Sequence, residues 1–105
     1  MTDVVIVQTT TSSFEQASSM QQILVKEKLA ACVQIEGPIT SHYFWEGTFE
    51  TSHEFRLSIK TLKHKLFDVE QFVLQHHPYS TPEFFVTPVL YCEPKYYTWL
   101  VQAIQ

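Results

Sequence analysis

Residues 76–83 read His76, His77, Pro78, Tyr79, Ser80, Thr81, Pro82, Glu83, and they gather metal-binding chemistry into one short connection. Two imidazoles can ligate a borderline metal such as Cu(II) or Zn(II), Glu83 adds a carboxylate, and two prolines restrict the backbone between them. A protein metal site needs three or four convergent donors, and adjacent histidines at a helix end rarely aim both rings at one ion. The competing reading makes His77 a hydrogen-bonding helix terminator and His76 a solvated surface residue. Cys32 is a weaker metal candidate: it is a soft ligand by type, but it lies in the small apolar run 29–33, where a buried thiol behaves as a small hydrophobe.

Lys60 and Glu83 have two readings, a structural ion pair or a pair that binds an anionic ligand and orients a histidine. Trp45, Tyr79 and Trp99 read as interface and core anchors, with stacking on a ligand as the alternative. Catalysis finds little to work with. Ser12, Ser13, Ser41, Ser52 and Ser58 stand in no nucleophile-elbow context, and two glycines in the whole chain leave no phosphate-cradling loop. A weak hydrolase built on His77 and Glu83 is the least favoured reading, and no enzyme and no organic cofactor are expected.

At 105 residues the chain is expected to form one domain, 1–105, with a core of its own. Hydrophobic residues make up 45% and aromatic residues 14%, an excess that predicts apolar surface buried between subunits. A net charge of −4 with scattered Lys and Arg gives no footprint for nucleic acid. No apolar run approaches the ~20 residues that span a bilayer, and residues 1–7 lack the pattern of a signal peptide, so a cytoplasmic location without membrane insertion is expected. Cys32 and Cys92 form no C-x-x-C motif, and a disulfide between them is not expected in a reducing compartment.

The elements that must position these groups follow from periodicity. Residues 4–7 form a β-branched run suited to a central strand, and residues 9–13 break it. Ser12 and Glu15 have capping-box spacing for a helix that carries Met20, Ile23 and Leu24 on one face. Val33, Ile35, Ile39, Tyr43, Phe44 and Trp45 predict a long strand with a bulge or bend at Gly37 and Pro38. Glu46 and Gly47 predict a tight turn into a strand in which Phe55, Leu57 and Ile59 alternate with polar residues. A helix is predicted over 62–75, ended by Pro78; then an apolar strand over 84–90 whose Pro88 demands an edge or a bulge, and a terminal helix over 95–104 after Pro94. This order is the split β-α-β arrangement of α+β ferredoxin-like domains, an antiparallel sheet with helices on one face, a long hairpin between the second and third strands and one extra C-terminal helix. Aromatic residues on both sides of the hairpin tip predict oligomerisation through it.

Five segments, in order, resemble the CutA family of divalent-cation tolerance proteins over nearly the whole chain. They are Leu29 to Val33 (LAACV), Tyr43 with Trp45, Glu46 and Gly47 (YxWEG), Lys60 and Thr61 (KT), His77 to Glu83 (HPYxxPE), and Tyr96 with Trp99 and Leu100 (YxxWL). The resemblance implies a homotrimer joined by sheet pairing through the hairpins, in a cytoplasmic role in tolerance of divalent metals such as copper, without an established enzymatic activity. It also marks Tyr43, Trp45, Lys60 and Glu83 as an inter-subunit cleft in which subunits supply the ligands that His76 and His77 lack. The alternative is a trimeric signalling or scaffold module, similar in architecture to PII proteins, that binds a metabolite or protein partner in its clefts. The chain departs from the family pattern at Gln34, where Asn is frequent, at Cys92, where Gly is frequent, and at Gln8, where some relatives carry Cys.

Overall fold

The computed structural model describes residues 2–105 as a four-stranded antiparallel sheet with three helices. Strand β1 (Val4–Thr11), helix α1 (Phe14–Lys26), strands β2 (Cys32–Trp45) and β3 (Thr48–Leu62), helix α2 (Leu66–His76), strand β4 (Phe85–Pro88) and helix α3 (Pro94–Ala103) follow one another along the chain. The sheet order β2-β3-β1-β4 is the ferredoxin-like order expected from the sequence, with β4 at the edge that Pro88 requires.

Several boundaries move, each for a local reason. β1 runs on through Thr9, Thr10 and Thr11, whose branched side chains suit a strand and are buried. The α1 cap is therefore Ser13 rather than Ser12: its Oγ accepts from the Gln16 N–H at 3.2 Å. Leu62 belongs to β3, and a 3-10 turn over Lys63–Lys65 precedes α2. β4 spans four residues rather than seven, and Pro94 is the first residue of α3, where its missing N–H costs nothing.

Val7, Leu57, Ile59 and Val33 face α1 and α2, and pack with Ala17, Met20, Leu24, Val69, Phe72 and Val73 into the main core. Ile23, assigned to the same face by its spacing, is exposed at the edge. A second cluster joins Val4, Ala31 and Leu62 to Leu100 of α3 and to Ile104, which caps that helix. Val4 and Leu62 alternate out of phase with Val7 and Ile59, so α3 lies on the opposite face of the sheet from α1 and α2. The expectation that helices cover one face alone is corrected accordingly. Among the described residues no helix is long and apolar enough to cross a membrane.

The β2–β3 hairpin gives the molecule its length. Fourteen residues of β2, at ~3.3 Å each, account for most of the 46 Å long axis. The radius of gyration of 14.5 Å exceeds the ~13 Å of a compact chain this long. At its tip Glu46 and Gly47 both have positive φ, 50° and 81°, as a two-residue hairpin turn of matching twist demands. Midway, the ladder steps from Glu36 opposite Arg56 to Ile39 opposite Glu54, which leaves Gly37 and Pro38 facing Phe55 alone. A Cβ on Gly37 would stand 2.9 Å from the Glu54 carbonyl oxygen, and its φ of 150° is one that side chains disfavour. This bulge reverses the alternation: Val33 and Ile35 turn toward the helices, whereas Tyr43 and Trp45 stand with Glu50 and Glu54 on the other face.

Candidate functional site

β4 pairs with β1 only as far as Gln8, so the rest of that edge of β1 needs another partner. The connection after α2 supplies it. Pro78 holds His77 extended (φ −76°, ψ 137°), and the His77 N–H closes α2 on the Val73 carbonyl. The imidazole then reaches across the strand edge, with Nε2 2.7 Å from the Thr10 carbonyl and Nδ1 3.0 Å from the Tyr79 N–H. Since Nδ1 accepts, the ring proton sits on Nε2 and is donated to Thr10, and both nitrogens of this buried ring are engaged. His76 is exposed, stacks on Phe72 with ring centroids 4.1 Å apart, and holds its Nδ1 2.9 Å from the Phe72 carbonyl, which leaves Nε2 free.

The two histidines therefore face different surroundings. Cys32 is more distant still: it pairs with Lys60, which pairs with Ile6, four residues from Thr10 along β1, or ~13 Å. Among the described residues no three His, Cys, Asp or Glu side chains converge within this subunit as a metal would need. Cys32 and Cys92 are both free thiols.

What the loop does build is a cleft of about 570 Å³ between itself and the hairpin, lined by Thr10, Tyr43, Trp45, Glu50, Glu54, Tyr79, Ser80, Thr81 and Glu83. Glu54 forms its floor. It lies one register step past the bulge, is 8% exposed, and accepts the Tyr79 phenol on Oε2 at 3.2 Å. Burial pushes the Tyr79 phenol above its ordinary pKa; a hydrogen bond from Ser12 lowers it, and the Glu54 carboxylate raises it further. Glu83 accepts from Gln8 Nε2 at 3.0 Å, so the chain's departure on the first strand fixes this carboxylate. Tyr43 donates to Ser52 at 3.3 Å, and Trp45 stands at the rim, about half exposed.

Three of the four residues expected at the cleft, Tyr43, Trp45 and Glu83, line it together. Lys60 does not: its Nζ lies 3.4 Å from the Tyr96 hydroxyl and 5.7 Å from that ring's centroid, on the α3 side. No Lys60–Glu83 ion pair forms; Arg56 and Glu36, at 3.6 Å, make the one ion pair among the described residues. Sequence reasoning missed Glu50, to which it gave no role, and Glu54, which alternation assigned to the polar face of its strand. The bulge-forming Gly37 and Pro38 opposite were the available signal that this face changes character.

On the hairpin's other side, Phe44 packs edge-on against Phe49 at 5.6 Å, and His42 stacks on Phe49 at 5.5 Å. Phe44 is 72% and Phe49 58% exposed. The tip thus presents an apolar face and, on its reverse, the acidic and aromatic cleft.

Comparison with known proteins agrees with this architecture. The divalent-cation tolerance protein CutA of Citrobacter koseri is 34% identical over 103 residues, covering 98% of this chain and 90% of that protein. The structure of CutA from Synechococcus elongatus superposes with a TM-score of 0.95 at 32% identity, covering 100% of this chain and 93% of the other. The structure described as the periplasmic divalent cation tolerance protein CutA of Archaeoglobus fulgidus gives 0.93 at 31% identity, covering 97% and 99%. The family model described as CutA1 divalent ion tolerance protein matches residues 5–103. The chain belongs to the CutA1 divalent ion tolerance protein family.

Proposed function

We propose that this protein acts as a homotrimer in tolerance of divalent metals, copper among them, and that the cleft beside the hairpin is where cations are received. One observation carries the reading: three carboxylates, Glu50, Glu54 and Glu83, line a single concavity that contains no lysine or arginine. Family membership supports the link to divalent-metal tolerance in general. The role is binding rather than catalysis.

Trimer assembly completes the donor set. Phe44 and Phe49 form an exposed apolar cluster of the kind that associates with another subunit, and the β4 edge is open to strand addition. A neighbouring hairpin laid along that edge brings further donors to Glu83 and to the free Nε2 of His76. His77 holds the loop, and Cys32 contributes a thiol only where subunits meet. A cytoplasmic location fits the two free thiols, although the Archaeoglobus fulgidus relative is described as periplasmic.

Titration with Cu(II) and Zn(II) tests the site. Glu54→Gln with Glu83→Gln should weaken Cu(II) binding at least about tenfold, as loss of two carboxylate donors implies; unchanged affinity and stoichiometry overturn the cleft as the cation site. Light scattering should report three times the 12.3 kDa chain mass, and a stable monomer overturns the assembly. A second reading, a PII-like module that binds a small metabolite or a protein partner, is favoured by the cleft's size, which suits an organic molecule better than a bare ion.

A further inference from the structure

We propose that the cleft binds a linear aliphatic polyamine, its ammonium groups on Glu54 and Glu50 and its methylene chain against Trp45 and Tyr43. The proposal rests on the cleft being the protein's cation site, and it specifies an organic cation where that reading names metals.

Charge spacing is the first argument. Glu50 and Glu54 lie on one face of β3, four residues and therefore ~13 Å apart along the strand. That spacing does not gather the two carboxylates around one ion, and among the described residues no three donors in the subunit converge. A flexible chain with cationic groups at intervals can touch both, and a cleft of about 570 Å³ accommodates it.

The floor is the second argument. Glu54 is more than nine-tenths buried, its one hydrogen-bond partner is the neutral Tyr79 phenol, and no Lys, Arg or His nitrogen lies within 4.0 Å of it among the described residues. A buried carboxylate without a counter-charge is costly, and a bound ammonium provides three donors as well as the charge.

The walls are the third. Trp45, Tyr43 and Tyr79 border the same space, and neither Trp45 nor Tyr43 stacks on another ring among the described residues. Their open faces attract an alkylammonium group and cover its methylenes, which a hydrated metal ion does not require. Bare carboxylates would favour a metal; carboxylates interleaved with aromatic rings favour an organic cation.

Calorimetric titration of the intact protein with spermidine, 1,4-diaminobutane, Mg²⁺ and Cu²⁺ at 0.15 M salt is the test. Spermidine should bind once per chain, at least about tenfold more tightly than the diamine, which cannot bridge Glu50 and Glu54. Glu54→Gln should reduce spermidine affinity about tenfold or more, and Trp45→Ala about fivefold without changing Mg²⁺ affinity. Should Glu54→Gln misfold, Glu50→Gln at the exposed end of the hairpin carries the same expectation. Spermidine binding no tighter than Mg²⁺, or insensitive to Trp45→Ala, overturns the proposal, since it then reflects charge screening alone. Cu²⁺ binding that depends on the cleft while spermidine does not bind overturns the polyamine and leaves the metal reading intact. Spermidine binding that needs Glu54 while Cu²⁺ binding does not sustains the polyamine and removes the metal from the cleft.

Discussion

The two halves of the β2–β3 hairpin share strands and a hydrogen-bond ladder, yet their environments are opposite. At the base, Val33, Leu57 and Ile59 lie beneath α1 and α2, and Leu57 and Ile59 are fully buried. At the tip, Phe44, Phe49, Tyr43 and Trp45 stand exposed. The ladder is common to both, so it is the cover that makes one half a core and the other a surface for partners. Apolar side chains at the base stabilise the subunit; those at the tip are placed to bind something outside it.

Core truncation breaks this contrast most severely. Leu57→Ala should cost about 3–5 kcal/mol in urea unfolding, whereas Phe44→Ala should change subunit stability by less than ~0.5 kcal/mol and instead lower the mass seen by light scattering. Equal costs at both positions would erase the distinction between base and tip.

Gly37→Ala should cost about 3 kcal/mol, because the added methyl meets the Glu54 carbonyl oxygen at 2.9 Å in a disfavoured backbone conformation. The same substitution should weaken cation binding in the cleft, since Glu54 is the residue displaced. A stable variant with normal binding would make the bulge incidental.

The adjacent histidines sharpen the contrast between scaffold and surface. His77→Ala leaves the Thr10 carbonyl unpaired and should cost about 1–3 kcal/mol, while His76→Ala should stay within ~0.5 kcal/mol. Thermal denaturation of the two variants decides it, and a reversed order would remove His77 from the scaffold.

The smallest effect is a pH dependence. The Tyr79 phenol titrates above its ordinary 10.0, so its contribution to stability is complete below pH 10 and is lost as pH rises through the higher folded-state value. Tyr79→Phe should show a shallower alkaline loss of stability than the parent protein, measured by urea midpoints between pH 9 and 11. Identical slopes would mean that burial and the Glu54 carboxylate do not raise the phenol's pKa in the folded protein.

Periodicity made the elements legible, since the alternation of Phe55, Leu57 and Ile59 and the helical spacing of Val69, Phe72 and Val73 each arise from burial on one face. Positions 9–11 misled because a run of threonines reads as polar, although branched side chains suit a strand that is covered. At the site, His77 was legible as a helix terminator from Pro78, a local rule. Glu54 was not, because its burial comes from residue 79, distant in sequence, and from a register shift in the opposite strand. Lys60 shared a segment motif with the cleft residues but turned to Tyr96, a contact made by α3 and invisible to strand patterning.

The bulge at Gly37 and Pro38 also governs how this chain tolerates insertions and deletions. Removing one of the two would restore one-to-one pairing without turning the tip over, because β3 alternates unbroken and Tyr43 stays opposite Glu50. What would be lost is the bend and extra twist that a bulge gives its strand, and with them the direction in which the outer hairpin points. Relatives that differ by one residue here should therefore keep the same chemistry at the tip and present it to a neighbouring molecule at a different angle.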